Sequence, residues 1–449
     1  MLALKPGQHS RPQTRRFHWF IGCARRDLKK WLWAPAAVLQ KGNSLLNDGT
    51  SLQQARLPVP IRALNAVGRG LASVGYKPRL DASAMLRAAE KAGLDTDLLP
   101  DLARQGMFNR VASLNQDAHF SLFGTIGFDQ QLRRCLFNAL GIERIIQTHP
   151  EIRDQKVRNP IFVVGMPRTG TTLMQRLLSL HNGARFVRFW ESYEPVPRPS
   201  EDEAASKARR MREAETALSR LHWVAPSLRA VHPMTVDAPE ECFFLMRNYF
   251  LVPRWFDFAN MESYWKWMDA LDAAAAYELL KRQLQVLQWL EPREHWVLKC
   301  PLHLGYIDEL MRVFPDARIV HMQREPTEVA ASLASLMSIL WNLTSDHFAP
   351  EEIGRWSLET AAHLHAKGLP AMERLGPSQL VRVGFTQLVQ DHAGTAERIY
   401  EVLGYRRDPR LTDNIAAWSR NNTREKHGRH VYTLSQFGLT EDEVMRAFA

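Results

Sequence analysis

The chain has 449 residues, 45% of them hydrophobic and 24% charged, which excludes a disordered, collagen-like or disulfide-scaffold protein and suits one large α/β domain with an added segment. Its net charge of +10 is unevenly placed: residues 1–41 hold nine Lys/Arg and one acid, so +8 belongs to that stretch and only +2 to everything after it. A nearly balanced body argues against a nucleic-acid partner, and the basic stretch suits an anionic surface. The four cysteines (Cys23, Cys135, Cys242, Cys300) form no Cys-x-x-Cys pair, so they read as thiols of a reducing, cytoplasmic compartment rather than as zinc ligands.

In chain order, residues 1–50 read as a basic tail. Its longest apolar run, Trp31–Leu39, spans nine residues and contains Pro35, against roughly 20 needed to cross a bilayer. Within it, residues 17–33 place Phe17, Phe20, Ile21, Ala24, Leu28, Trp31 and Leu32 at helical spacing among Arg25, Arg26, Lys29 and Lys30. That pattern fits either a helix lying peripherally on the inner face of a membrane or an unstructured extension. Residues 51–155 read as a helical N-terminal segment, with Asp81 as a helix cap and an apolar stripe through Leu132, Leu136, Leu140 and Ile145. From 156 to 449 short apolar runs alternate with amphipathic stretches. Strands are expected at Ile161–Val164, Trp296–Leu298, Arg318–His321 and Gln379–Val383, each followed by a helix, which predicts a P-loop-type parallel sheet flanked by helices. Residues 201–221 predict a charge-rich, mostly solvated helix, and 273–290 an amphipathic one.

The first chemical motif lies at the first of these strands. Gly165-Met-Pro-Arg-Thr-Gly-Thr-Thr172 predicts strand, tight loop and helix, with backbone N–H groups around Thr169, Gly170, Thr171 and Thr172 converging at a helix start to bind an anion. The spacing is that of a phosphate loop. The lysine of nucleotide triphosphatases is replaced by Thr171, however, and the cation is Arg168, inside the loop. A second motif, His321-Met-Gln-Arg-Glu-Pro-Thr, ends a strand at Arg324 and starts a helix at Pro326, with Ser332 two turns in. An arginine fork beside a hydroxyl suits a phosphate monoester. Together the motifs predict two separate phosphate pockets for one ligand.

In these residues the chain resembles the bacterial-type sulfotransferases that use 3′-phosphoadenosine 5′-phosphosulfate (PAPS), over roughly residues 80–449. Gly165–Thr172 resembles the 5′-phosphosulfate loop, with Arg168 where cytosolic relatives carry lysine. Arg324 and Ser332 match the 3′-phosphate pair, Lys299-Cys-Pro301 the family's K-x-P segment, and Val383-Gly-Phe385 onward the segment near the adenine. The resemblance implies metal-independent, in-line transfer of a sulfuryl group from PAPS to a hydroxyl of a small molecule, lipid or sugar, leaving adenosine 3′,5′-bisphosphate. Arg168 and Lys299 would supply positive charge at the transferring group. For the base that the acceptor hydroxyl needs, the resemblance points to Glu191, with His303 as rival. Phe385 would pack on the adenine, and Lys426 and Arg429, in a basic run near the C-terminus, would close over the 3′-phosphate. The aromatic-rich region 223–268 suits an apolar acceptor or a lid. A P-loop kinase and a non-catalytic binder of nucleotide or sulfated glycan remain as alternatives.

Overall fold

Ile161-Phe-Val-Val-Gly165 is buried at all five positions, as expected of a strand covered on both faces, and it forms β1, the central strand of the sheet. The computed structural model describes residues 57–199, 201–254, 257–346, 348–422 and 432–449. The basic tail, the helix expected at 17–33 within it, Lys426 and Arg429 lie outside the described residues. Four further strands, β2 (Ala184–Arg185), β3 (His295–Lys299), β4 (Arg318–Gln323) and β5 (Leu380–Gly384), complete a sheet of order β2-β3-β1-β4-β5. Every neighbouring pair is parallel, with Ile161 beside Val297 and Arg318, and Gly165 beside Met322. The four expected strands are present within a residue or two of their anticipated ends. β2 is only two residues long, too short to carry an alternation that fixes its bounds.

Before the sheet come α1 (Val59–Ser73), α2 (Ala82–Lys91), α3 (Asp101–Asp117) and α4 (Leu122–Thr148). Asp81 caps α2 by accepting a hydrogen bond from the Ala84 N–H at 3.0 Å. Alternate residues of β1 then enter different cores. Phe162 and Val164 pack with Leu132, Leu136 and Leu140 of α4, while Ile161 and Val163 pack with Met174, Leu177, Ala396 and Ile399 on the opposite face. The helices that follow the loop are α5 (Thr171–Leu178), α6 (Phe189–Tyr193) and α7 (Glu203–Val224). As expected, most of the charge-rich α7 is exposed or half-buried; only the face of Ser206, Arg210, Ala214 and Leu218 is buried, with the Arg210 guanidinium 4.7 Å from the Trp190 ring centroid.

Beyond β4, α8 (Pro326–Thr344) starts with Pro326 in its first turn and is buried along most of its length. Among the described residues no helix is long and apolar enough to cross a membrane. In a parallel sheet all strand ends point one way. Gly165, Lys299, Arg324 and Phe385, ending or following β1, β3, β4 and β5, therefore share one edge, and the chain departs to opposite sides of β1 there. Crevices at such reversals are where open α/β sheets bind ligands.

Candidate active site

The loop between β1 and α5 is shaped by backbone that few residues can adopt. Gly165 (φ +146°) lies so close to β4 that a Cβ would stand 2.5 Å from the Met322 carbonyl oxygen. Gly170 (φ +92°) precedes the helix, and a Cβ there would meet the Phe385 ring at 2.9 Å. Arg168 holds φ +71° without being glycine, a conformation that costs on the order of 1–3 kcal/mol and persists where the surroundings over-determine it. Thr169 does part of this: its hydroxyl donates to the Met166 carbonyl at 2.7 Å and its N–H to the same oxygen at 3.3 Å. Thr169 thus braces the loop from inside. The N–H groups of the first turn of α5 remain for an anion.

Two guanidinium groups meet over this loop. Arg168 Nε donates to Ser332 Oγ at 3.0 Å and Nη1 to the Val231 carbonyl at 2.7 Å. Arg324 Nη1 donates to the Arg168 carbonyl at 3.0 Å, pairs with Glu328 at 2.6 Å, and lies 4.4 Å from the Phe385 ring centroid. Burial lowers the Arg168 pKa from its ordinary value and the nearby Arg324 adds to this, with Tyr432 acting in the opposite sense. Two confined cations favour an anion between them. The Arg168–Ser332 bond links the residues of the two phosphate motifs.

Across β1, Lys299 ends β3 with 1% of its side chain exposed and pairs with Glu241 Oε1 at 2.6 Å. The pairing is enforced by backbone, because the Cys242 N–H donates to the Lys299 carbonyl at 3.0 Å and the Glu240 N–H to the Val187 carbonyl at 2.8 Å. Glu240 accepts from His232 Nε2 at 3.2 Å and from the Glu241 N–H at 2.9 Å. Burial alone would raise the Glu240 pKa, but His232 and Lys299 hold it down to about 2. A cavity of about 100 Å³ opens here, with Arg168, Thr171, Thr172, His232 and Glu241 on its polar side. Its opposite wall is apolar and includes Met234, Phe243, Phe244, Phe258 and Leu336. Of the aromatic-rich region, Phe243, Phe244 and Phe258 reach this cavity, whereas Phe250 and Trp265 are fully buried core.

The two residues anticipated as bases do not line the cavity. Glu191 is enclosed in ion pairs: Arg185 binds its oxygens at 2.5 and 3.0 Å, Arg188 approaches at 3.3 Å, and the Arg188 N–H donates to it at 2.9 Å. It closes the first turn of α6 and pins β2, leaving no lone pair facing a substrate. His303 is fully buried on the 3-10 turn after β3, with Nδ1 2.9 Å from the Tyr277 hydroxyl and its ring edge-on to Phe162. Burial, with a contribution from Lys299, lowers its pKa to about 3, so it is neutral, and its position is structural.

Sequence reasoning passed over Glu241, Glu240 and His232. The available signal was the pair of adjacent carboxylates Glu240-Glu241, separated from Phe243-Phe244 only by Cys242. Among the described residues His232, Glu240 and Glu241 bring ligand-type atoms within 4.8 Å of one another. Glu240 is already held by His232 and Glu241 by Lys299, whose charge opposes a second cation at that spot.

Residues 160–409 match the model of the sulfotransferase family. A curated relative, the omega-hydroxy-beta-dihydromenaquinone-9 sulfotransferase Stf3 of Mycobacterium bovis, is 24% identical over 318 residues, covering 66% of this chain and 74% of the relative. Among solved structures, the sulfotransferase STF1 of Mycobacterium tuberculosis is 26% identical with a TM-score of 0.71, covering 81% of this chain and 97% of that one. The sulfotransferase STF9 of Mycobacterium avium is 27% identical with a TM-score of 0.72, covering 83% and 95% respectively.

Proposed function

Because this chain belongs to the sulfotransferase family, we propose that it moves a sulfuryl group from PAPS to the hydroxyl of an apolar, lipid-like acceptor, without a metal ion. The observation that carries this reading is the Lys299–Glu241 pair, set at the edge of a cavity that also receives Arg168, Thr171 and Thr172. The residues fit a doubly phosphorylated donor: Arg168 and Arg324 converge with Glu328 as the nearest paired carboxylate, beside a helix start. Bound PAPS would supply the sulfuryl group and a phosphate leaving group.

Everything else falls to the chain. The amides of Gly170, Thr171 and Thr172, with Arg168, hold the 5′ end, while Arg324 and Ser332 hold the 3′-phosphate and Phe385 bounds the adenine. Lys426 and Arg429 would add charge over the 3′-phosphate. Lys299 steadies the charge that grows on the leaving oxygen, and it exchanges Glu241 for that oxygen as transfer proceeds. Glu241 takes the acceptor's proton, and the apolar wall excludes water. A lipid-like acceptor agrees with that wall and with the menaquinone-derived substrate named for the mycobacterial relative. The basic residues 17–33 would bring the chain to the inner face of a membrane, where such acceptors reside.

Thermal unfolding with added nucleotide tests this directly. Adenosine 3′,5′-bisphosphate at a hundred times its Kd should stabilise the fold by about 2.7 kcal/mol, and Mg-ATP should not. Stabilisation by Mg-ATP alone would favour a kinase-like site.

A further inference from the structure

A second cavity, of about 280 Å³, backs onto the first, and Met234, Phe244 and Phe258 line both. Part of its lining is polar: α4 contributes Gln130, Gln131 and Arg134, and the turn after Phe243–Met246 contributes Asn248 and Arg247, whose guanidinium lies 5.1 Å from the Phe243 and Phe244 ring centroids. The charge of this lining does not balance. Arg110 pairs with Asp257 at 2.5 Å, and Arg247 stands 3.8 Å from the other oxygen of the same carboxylate. Arg134 lies over the Tyr193 ring at 4.0 Å, close enough to bear electrostatically on Arg247, and among the described residues no carboxylate pairs with it.

Donors are also left over. Arg247 Nε and Arg110 Nε and Nη1 are buried without partners, although Arg247 is only 4% and Arg110 1% exposed. With its amide turned to satisfy both ends, Gln131 accepts from Arg247 Nη2 at 2.8 Å, which still leaves Arg247 Nε free. Arg134 has no carboxylate partner among the described residues and Arg247 shares Asp257 with Arg110, so the cavity lining carries an excess of positive charge beside apolar walls, an arrangement that an anion would relieve.

We propose that this second cavity receives a carboxylate head of the acceptor on Arg134 and Arg247, so that the substrate is a hydroxylated aliphatic acid whose chain passes Met234, Phe244 and Phe258 to present its hydroxyl to Glu241. This rests on the assignment of sulfuryl transfer to the Glu241 cavity, while the binding of the acid head can be measured without it. The apolar residues shared by the two cavities suit methylene groups, while the guanidinium groups of one cavity and the Glu241 carboxylate of the other suit unlike polar groups, which selects a bipolar chain over a simple alcohol.

Binding is read first, with decanoate and decan-1-ol as probes, by intrinsic tryptophan fluorescence on the full chain. Decanoate should bind wild type about ten- to a hundredfold more tightly than decan-1-ol, the range expected of a charge-assisted hydrogen bond. Arg134→Gln should remove most of that preference and Arg134→Lys should keep part of it, which separates lost charge from misfolding. Equal binding of acid and alcohol by wild type overturns the proposal. Transfer is read next, with ω-hydroxydodecanoate against its methyl ester and radiolabelled donor. The acid should have the higher kcat/KM by a similar factor, carried by KM, and the ratio should fall toward one in Arg134→Gln. If acid and ester are sulfated alike, the head-group assignment fails while the transfer reading stands. If decanoate binds selectively but neither acceptor is sulfated, the transfer reading fails and the anion site stands.

Discussion

Replacing Glu241 by Gln separates two effects that the Lys299–Glu241 pair combines. Glutamine keeps an oxygen where Lys299 Nζ now finds Glu241 Oε1 at 2.6 Å, but it removes the negative charge and the proton acceptor. Lys299 is 1% exposed, so losing its counter-charge should cost stability toward the low end of the roughly 3–5 kcal/mol typical of a broken buried pair. Losing a general base should cost about 10²–10⁴ in turnover, or about 3–5 kcal/mol at the barrier. The two penalties are similar in size, so turnover must be expressed per folded site, titrated with adenosine 3′,5′-bisphosphate. The deciding assay is turnover against hydroxyl acceptors of graded acidity. Phenols that ionise unaided should recover much of the lost rate in Glu241→Gln, whereas aliphatic alcohols should not. Turnover per folded site within about threefold of wild type, or an equal loss for acidic and aliphatic acceptors, would show that Glu241 only balances Lys299.

Four other outcomes are expected. Arg324→Ala should weaken binding of adenosine 3′,5′-bisphosphate about ten- to a hundredfold and leave binding of a nucleotide lacking the 3′-phosphate unchanged; equal losses for both would make Arg324 a scaffold for the Arg168 carbonyl. Glu191→Gln should destabilise the fold by about 3–5 kcal/mol in denaturant titration, by stranding Arg185, while turnover per folded site stays within a few-fold of wild type; a loss of turnover without a loss of stability would return Glu191 to the chemistry. Stability should fall as the medium is acidified: burial lowers the pKa values of His295 and His303 to about 3 and of His321 to about 4, so between those values and about 6.5 the unfolded chain binds more protons than the folded one. At pH 5 each contributes roughly 2 kcal/mol of destabilisation, and His303→Gln should shallow the slope by about 1.4 kcal/mol per pH unit, the share of one proton; an unchanged slope would mean that His303 is protonated in the fold. Chelating divalent metal should leave most turnover intact, and restoration of lost turnover by magnesium would contradict the roles given to Arg168 and Lys299.

What the sequence made legible is what short stretches of backbone decide. The strands β1, β3 and β4 announce themselves because apolar residues buried on both faces sit between turn residues, and β5, buried only at Val383, through its short β-branched run before Gly384. The 165–172 loop does so because Gly165 and Gly170 occupy positions that a Cβ would fill against Met322 and Phe385. Glu241 was illegible for the opposite reason. Its partner lies 58 residues away, and they meet only because the Cys242 N–H docks on the Lys299 carbonyl. Glu191 misled because closeness to the loop in sequence does not fix where a side chain points, and Arg185, six residues earlier, captures it. His303 misled similarly, since the turn after β3 directs it into the core against Tyr277 and Phe162.

The most direct measurement is transfer of label from [³⁵S]PAPS to a long-chain primary alcohol by the purified chain, in the presence of excess chelator. Wild type should form a labelled alkyl sulfate and an equal amount of adenosine 3′,5′-bisphosphate, while Lys299→Met and Glu241→Gln should each reduce formation of both products together by about a hundredfold or more. Absence of labelled ester from wild type under those conditions, or label transfer that survives both substitutions, would contradict the assignment of the Lys299–Glu241 cavity as the site of sulfuryl transfer.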